Sequence, residues 1–226
     1  SYDWTNFFSR NDTTPIKLQR PSDELYSIIA RYNYDTLSFD WVVGIDSGFS
    51  NGNSGMRTTV FPLLNNCNET ETRADVNNQH LLGSIVVFSG CTNHFPQFDI
   101  QLTQQELNSV FRYTVVVRLD NSGQIVWHKM IRNGNEPNHI FWTTSVHVSS
   151  CDSKDGNTPG AIYLAGSLGQ QKRISDTMNC SSVVQPPEYF DSYEYDEFAY
   201  VLKLSAVDGS CLWVSVASNA TITAMS

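Results

Sequence analysis

Basic residues are scarce in this chain. Lysine and arginine together number 14, against 23 aspartates and glutamates, so the formal net charge is −9. Binding to nucleic acid phosphates needs a concentrated basic surface, which this balance does not favour. No apolar run approaches the roughly 18–20 residues that a membrane-spanning helix requires. We therefore expect neither a nucleic acid partner nor a membrane span.

The sequence also lacks the short motifs of metal, nucleotide and hydrolase sites. Its five cysteines form no C-x-x-C pair and its five histidines form no H-x-x-x-H pair, so zinc ligation is not indicated. No G-x-S-x-G, Walker or G-x-G-x-x-G pattern occurs. We predict no catalytic residue, no cofactor-binding residue and no metal ligand, and hence a protein that is not an enzyme.

One acidic stretch is open to several interpretations. "EYFDSYEYDE" at 188–197 concentrates carboxylates and aromatic side chains ahead of an apolar segment. Clustered carboxylates suit calcium, and exposed tyrosines suit a protein interface. A solvated insertion explains the same composition. The sequence does not decide among these interpretations, so no cation is assigned.

Cysteine usage favours an oxidising compartment. Without zinc spacing, the cysteines at 67, 91, 151, 180 and 211 are better explained by disulfides. We prefer Cys67 with Cys91 and Cys151 with Cys180, because each pair flanks one glycine-ended apolar segment. An odd number leaves one cysteine free or paired beyond this sequence.

Four N-x-S/T sequons occur, at Asn11, Asn68, Asn179 and Asn219. Chance alone produces about that many in an asparagine-rich chain, so their positions matter more than their number. Asn68 and Asn179 fall in polar insertions, where a glycan is tolerated, and they are the preferred sites. Together with the cysteines, the sequons predict a secreted or cell-surface glycoprotein.

A hairpin-like segment is repeated along the chain. An aliphatic run, a lysine or arginine, a turn and a tryptophan follow one another in each copy. The copies are "LYSIIARYNYDTLSFDW" at 25–41, "VVVRLDNSGQIVW" at 115–127 and "YVLKLSAVDGSCLW" at 200–213. Their tryptophans, Trp41, Trp127 and Trp213, are 86 residues apart each time. We predict that these three side chains pack in equivalent core positions.

The agreement extends to two further segments. "TTVFPLLNNC" at 58–67 matches "TTSVHVSSC" at 143–151, and "GSIVVFSG" at 83–90 matches "GAIYLAGS" at 160–167. Each unit thus holds four short strands, and their apolar runs do not alternate, as expected for a sheet covered on both faces. We predict an all-β fold of four-stranded, β-propeller-like blade repeats over 25–226, after an N-terminal extension over 1–24.

The second unit resembles a known repeat group. "GAIYLAGSLG" and "DEFAYVLKLSAVDGSCLWVSVASN" are similar to the repeats of SBBP and PQQ-like β-propellers, which run from a G-x-hydrophobic-Y strand to a glycine turn and a tryptophan. The resemblance implies a propeller architecture. It also implies an alternative function, a fragment of a quinone-dependent redox enzyme.

The number of repeats is too small for a ring. The chain supplies about two and a half blades, since "TITAMS" at 221–226 begins another unit, whereas closed propellers have about four or more. Sheet edges without a neighbour invite pairing with other chains. We therefore predict a fragment of a larger propeller or assembly that acts as a scaffold, adhesion or structural module, including a surface fibre or coat subunit. Its partners would be proteins or its own copies, bound through sheet edges and rims, with glycans as a further class.

Overall fold

A computed structural model describes residues 6–7, 16–17, 26–33, 35–46, 57–64, 81–91, 98–101, 103, 112–132, 141–151, 159–169, 183–184 and 197–218. Nearly all of them lie in β-strands of antiparallel sheets. The prediction of an all-β fold is confirmed. Over these residues, no helix has the length and apolar character needed to cross a membrane.

The strands form three main sheets. Sheet I contains β3 (Tyr26–Asn33) and β4 (Ser38–Asp46). Sheet II contains β5 (Arg57–Leu64), β6 (Leu81–Cys91), β7 (Tyr113–Leu119) and β8 (Ile125–Ile131). Sheet III contains β9 (Phe141–Cys151), β10 (Pro159–Gly169), β12 (Glu197–Ser205) and β13 (Cys211–Ser218), with β11 (Val183–Val184) added beside β13. The predicted N-terminal extension holds a small pair, β1 (Asn6–Phe7) and β2 (Ile16–Lys17).

Sheets II and III are built to the same plan. Their strand orders are β5-β6-β7-β8 and β9-β10-β12-β13, and in both sheets each strand pairs antiparallel with the next. Sheet I supplies only the hairpin that corresponds to the last two strands of each plan. The four-strand unit is therefore present twice, and the described strands form open sheets.

The three sheets stack with an apolar core on each side of sheet II. One core joins sheets I and II and contains Ile29, Val86, Phe88, Val115 and Leu119 among others. The other joins sheets II and III and contains Ile85, Val116, Leu164, Leu202 and Val214 among others. Sheet II is thus buried on both faces, which explains why its strands are continuously apolar. Each fully buried valine or leucine contributes about 1.5–3 kcal/mol to this packing.

Cys91 does not form the predicted bridge to Cys67. It is a free thiol, 2% exposed, in the core between sheets I and II. Its Sγ donates a hydrogen bond to the carbonyl of Phe88 at 3.4 Å, and burial raises the pKa of the thiol. The prediction failed because flanking a strand in sequence does not say which way a side chain points. Here it points into the core.

Cys211, which the preferred pairs left out, is disulfide-bonded. Its partner lies outside the described side chains, as do Cys67, the Cys151 side chain and Cys180. Strand β11 runs parallel to β13 with Val183 opposite Val214. Cys180 and Cys211 each precede one of these valines by three residues. This equal offset makes Cys180 the candidate partner of Cys211, and a bridge between them would exclude the predicted Cys151–Cys180 bridge.

Peptide mapping without reduction should recover a peptide that joins Cys180 to Cys211. In a Cys211→Ser variant, Cys180 should become open to alkylation, because its partner thiol is gone. A Cys91→Ala variant is the matched control and should leave the map unchanged. A linked peptide joining Cys211 to Cys67 or Cys151 would contradict the assignment.

Candidate assembly site

Each of the three hairpins places a basic residue opposite a tryptophan. The cross-strand pairs are Arg31–Trp41, Arg118–Trp127 and Lys203–Trp213. In every hairpin a β-bulge follows the basic residue directly. A bulge increases the local twist of a hairpin and re-aims the side chains next to it. Trp41, Trp127 and Trp213 therefore lie at equivalent strand positions, but all three are half-buried and not in the predicted core positions.

Trp41 of sheet I lies on the turn of sheet II. Its indole N–H donates a hydrogen bond to the carbonyl of Asn121 at 2.9 Å, and Arg31 Nη1 donates to the same oxygen at 3.4 Å. The indole ring lies over Gly123, where a Cβ atom would stand only 2.7 Å from the ring. The ring is half-buried and packs against the edge of the core instead of inside it.

Trp127 of sheet II repeats this contact on the turn of sheet III. Its indole N–H donates to the carbonyl of Ala206 at 3.4 Å, and Arg118 Nη1 donates to the carbonyl of Val207 at 2.9 Å. A Cβ atom at Gly209 would stand 2.9 Å from the ring. We call this arrangement the tryptophan–turn contact: a tryptophan and its opposite arginine bind the next hairpin turn, over a glycine.

Glycine is needed at both turns for two independent reasons. Gly123 has φ 81° and Gly209 has φ 69°, backbone conformations that L side chains rarely adopt. Each glycine also leaves the space that the approaching indole fills. The turn signals around residues 121–123 and 208–209 could be identified in the sequence. The sequence does not show that the indole of a neighbouring sheet leaves no room for a side chain at these glycines.

The same two turns are held by aspartates. The Asp120 carboxylate accepts hydrogen bonds from the Ser122 hydroxyl at 2.7 Å and from the backbone N–H of Gln124 at 2.9 Å. The Asp208 carboxylate accepts from the backbone N–H of Ser210 at 3.0 Å and from its hydroxyl at 2.8 Å. These hydrogen bonds favour the ionised carboxylates and lower the pKa of both.

Acid should loosen both turns. A carboxyl group whose pKa is lowered by folding stabilises the protein above its unfolded pKa of about 3.9, and that stabilisation is lost as the pH falls through the folded pKa. We expect the melting temperature to fall below about pH 4, and to fall less in an Asp120→Asn, Asp208→Asn double variant. Calorimetry at pH 7 and pH 3 measures the melting temperatures of the unmodified protein and of the double variant. An equal acid-induced drop in the two proteins would contradict the role of these carboxylates.

A buried polar network joins sheets II and III away from the hairpin turns. The Thr143 hydroxyl is hydrogen-bonded to Thr114 Oγ1 at 2.9 Å and to the Tyr200 hydroxyl at 2.7 Å. The Ser89 hydroxyl donates to the Thr143 carbonyl at 2.8 Å and accepts from its N–H at 2.9 Å. Burial raises the pKa of Tyr200, so the phenol stays protonated. These buried groups can all form their hydrogen bonds in only one alignment of sheets II and III, so the network favours that alignment.

Most of the other predicted site residues lie outside the described part of the chain. These are the sequon asparagines Asn11, Asn68, Asn179 and Asn219, and the acidic stretch except Glu197, which begins β12. Sequence reasoning noticed the threonines at 143–144 only as a repeat marker and missed the network built on Thr143. Within the described residues, no group of three or more histidine, cysteine or acidic side chains could hold a metal ion.

Comparison with protein-family models, with curated proteins and with solved structures gave no match.

Proposed function

We propose that this chain is a non-enzymatic, extracellular β-propeller-like module that binds other polypeptides through the outer faces and edges of its sheets. The tryptophan–turn contact supports this proposal, because it links one sheet to the next in a single direction. Sheet I binds sheet II, and sheet II binds sheet III, by the same atoms. A contact of this kind can be extended by any further sheet of the same design.

The observation that carries the proposal is a difference in burial between equivalent residues. On sheet I, Ile29 packs in the core toward sheet II, so its neighbour Ile28 points the other way. Ile28 is 40% exposed. Val115 is the equivalent residue of sheet II, because it stands three residues before Arg118 as Ile28 stands three residues before Arg31. Val115 is 0% exposed because sheet I covers it. The outer face of sheet I is therefore apolar at a position that a neighbouring sheet would bury.

Sheet III shows the same difference on its outer face. Val201 lies two residues before Lys203, as Val116 lies two residues before Arg118. Val116 is 0% exposed between sheets II and III, whereas Val201 is half-buried. Apolar faces that are covered in the middle of a stack and uncovered at its ends are typical of repeat architectures, which need neighbours or caps.

The disulfide at Cys211 supports the extracellular part of the proposal, because such bonds persist in oxidising compartments. Glycans on Asn68 and Asn179 belong to the same proposal. A module that binds other polypeptides through the faces and edges of its sheets is suited to a role as a scaffold, adhesion or coat protein. The alternative, a fragment of a quinone-dependent redox enzyme, rests on the repeat resemblance alone.

Charge on the outer faces should weaken association. We expect an Ile28→Lys, Val201→Lys double variant to reduce the association of the 226-residue chain at least tenfold, because each lysine would have to be desolvated in the contact. Val126→Lys is the matched control, since Val126 is 49% exposed on the middle sheet. Sedimentation velocity measures all three proteins. If the control lowered association as much as the double variant, the outer faces would not be the binding surfaces.

A further inference from the structure

We infer that β11 (Val183–Val184) is a strap that covers the edge of β13, that the disulfide of Cys211 holds it there, and that breaking this disulfide opens the edge. The inference rests on the proposed function in one respect, because sheet edges are among the binding surfaces proposed above. It concerns the end of sheet III where β11 runs parallel to β13, whereas the other strands of this sheet pair antiparallel.

The edge strand β13 differs in charge from its equivalents in sheets I and II. Its sequence, CLWVSVAS, contains no charged residue, whereas β4 contains Asp40 and Asp46 and β8 contains Lys129. Charged side chains are one device that keeps an edge strand from pairing with other chains, and a covering segment is another. In the part of the chain that the structure describes, β13 alone among these three strands has a strand on its second edge. The uncharged edge is thus the covered one.

The strap is too short to keep its position by its own pairing. It contributes two residue pairs, Val183 opposite Val214 and Val184 opposite Ser215. The conformational entropy lost when a residue is fixed is about as large as the net gain from a backbone hydrogen bond. Parallel pairing is also slightly less stable than antiparallel pairing. A covalent link close to the strap is therefore needed to hold it.

Cys211 provides this link. It is disulfide-bonded, 4% exposed and part of the core between sheets II and III, so its side of the bond is fixed to the body of the protein. Three residues separate Cys211 from Val214, and three separate Cys180 from Val183. Both cysteines therefore precede the β11–β13 ladder by the same distance along parallel strands.

The two other cysteines that could bond to Cys211 start from the opposite edge of sheet III. Cys151 ends β9, and β10 and β12 lie between β9 and β13. Three strand spacings of about 4.8 Å separate these edges, more than twice the Cα separation of about 6 Å in a disulfide. Cys67 follows β5, whose Arg57 donates a hydrogen bond to a carbonyl of β9 at 3.1 Å. The strand order therefore favours Cys180 as the partner.

Breaking the bond takes two electrons and two protons, which a dithiol supplies: its two thiols become a disulfide while the two protein sulfurs become thiols. The strap is then held by its two residue pairs alone and leaves the edge. The backbone groups of Val214 and Ser215 that had paired with β11 can then pair with another strand. The edge of sheet III is thus a binding surface that is covered in the oxidised protein and open in the reduced one.

Residue-resolved amide hydrogen exchange of the full chain tests the inference. A parallel ladder of two pairs takes at least one N–H from residues 214–216 of β13. In a Cys180→Ser variant, at least one of these amides should exchange at least about tenfold faster, and dithiothreitol should have the same effect on the unmodified chain. The amides of β7, which lies in the middle of sheet II, should keep their exchange rates. Cys91→Ala, which removes a free thiol, is the matched control and should leave exchange at 214–216 unchanged.

A second variant separates the strap from the disulfide. The double change Val183→Pro, Val184→Pro removes both backbone donors of β11 while the disulfide stays intact, and it should also speed exchange at 214–216. Unchanged exchange at these residues in either variant, or after reduction, would overturn the inference. An equal rise in the exchange of β7 would overturn it too, because the disulfide would then support the whole fold.

Sedimentation velocity separates this result from the proposed function. If the unmodified chain associates but exchange at 214–216 does not respond to Cys180→Ser, the proposed function stands and only the strap is rejected. If exchange responds but neither the unmodified chain nor the variant associates, the strap stands and the proposed function is rejected.

Discussion

Replacing Gly123 with alanine should lower the free energy of unfolding by about 2–5 kcal/mol. An L residue with positive φ costs about 1–2 kcal/mol, and overpacking of a filled contact costs about 1–3 kcal/mol. Here the new Cβ atom would stand 2.7 Å from the Trp41 ring. Chemical denaturation measures the loss, and Gln124→Ala, on the exposed next position of the turn, should change stability by no more than about 0.5 kcal/mol.

A double-mutant cycle separates the two causes. In a Trp41→Ala background the clash disappears, so Gly123→Ala should cost only the backbone strain, about 1–2 kcal/mol. A coupling energy near zero between Trp41 and Gly123 would show that the indole does not press on the turn. The tryptophan–turn contact would then be an incidental neighbour of the glycine.

Thr143→Val should lower the free energy of unfolding by about 1–3 kcal/mol, because it removes hydrogen bonds to two buried hydroxyls while it keeps the size of the side chain. Those hydroxyls belong to Thr114 and Tyr200. Thr144→Val is the matched control: its hydroxyl donates a long hydrogen bond, 3.3 Å, to the Ala165 carbonyl within one sheet. We expect the control to cost less than about 1 kcal/mol.

The network should also be non-additive. Thr114→Val and Thr143→Val both remove the hydroxyl–hydroxyl hydrogen bond between sheets II and III, so the double variant should cost less than the sum of the single variants. Strict additivity, measured by chemical denaturation, would contradict a shared hydrogen bond across the two sheets.

The repeat could be predicted from the sequence because the same residue types recur in the same order in each copy. Trp41, Trp127 and Trp213 share a spacing and a preceding basic residue, and burial on both faces removes the alternation of polar and apolar residues in strands such as β7. The all-β fold and the hairpins follow from these two features. The direction in which the sheets stack does not follow from them, because it depends on which face of each sheet the tryptophan occupies.

Other features were beyond the sequence for specific reasons. Cys91 was expected in a bridge, but the direction of its side chain places it in the core. The sequence does not indicate a partner for Cys211, because β11, a two-residue parallel strand, has no sequence signature. Leu37 has positive φ, 54°, which could not be predicted because steric preferences do not favour this conformation for leucine.

Sedimentation velocity of the unmodified chain tests most directly whether the outer faces of this stack are binding surfaces. We expect the weight-average sedimentation coefficient to rise with protein concentration, or the chain to aggregate, because apolar positions such as Ile28, 40% exposed, have no covering sheet among the described strands. A monomer at every concentration that unfolds in one cooperative transition would contradict it.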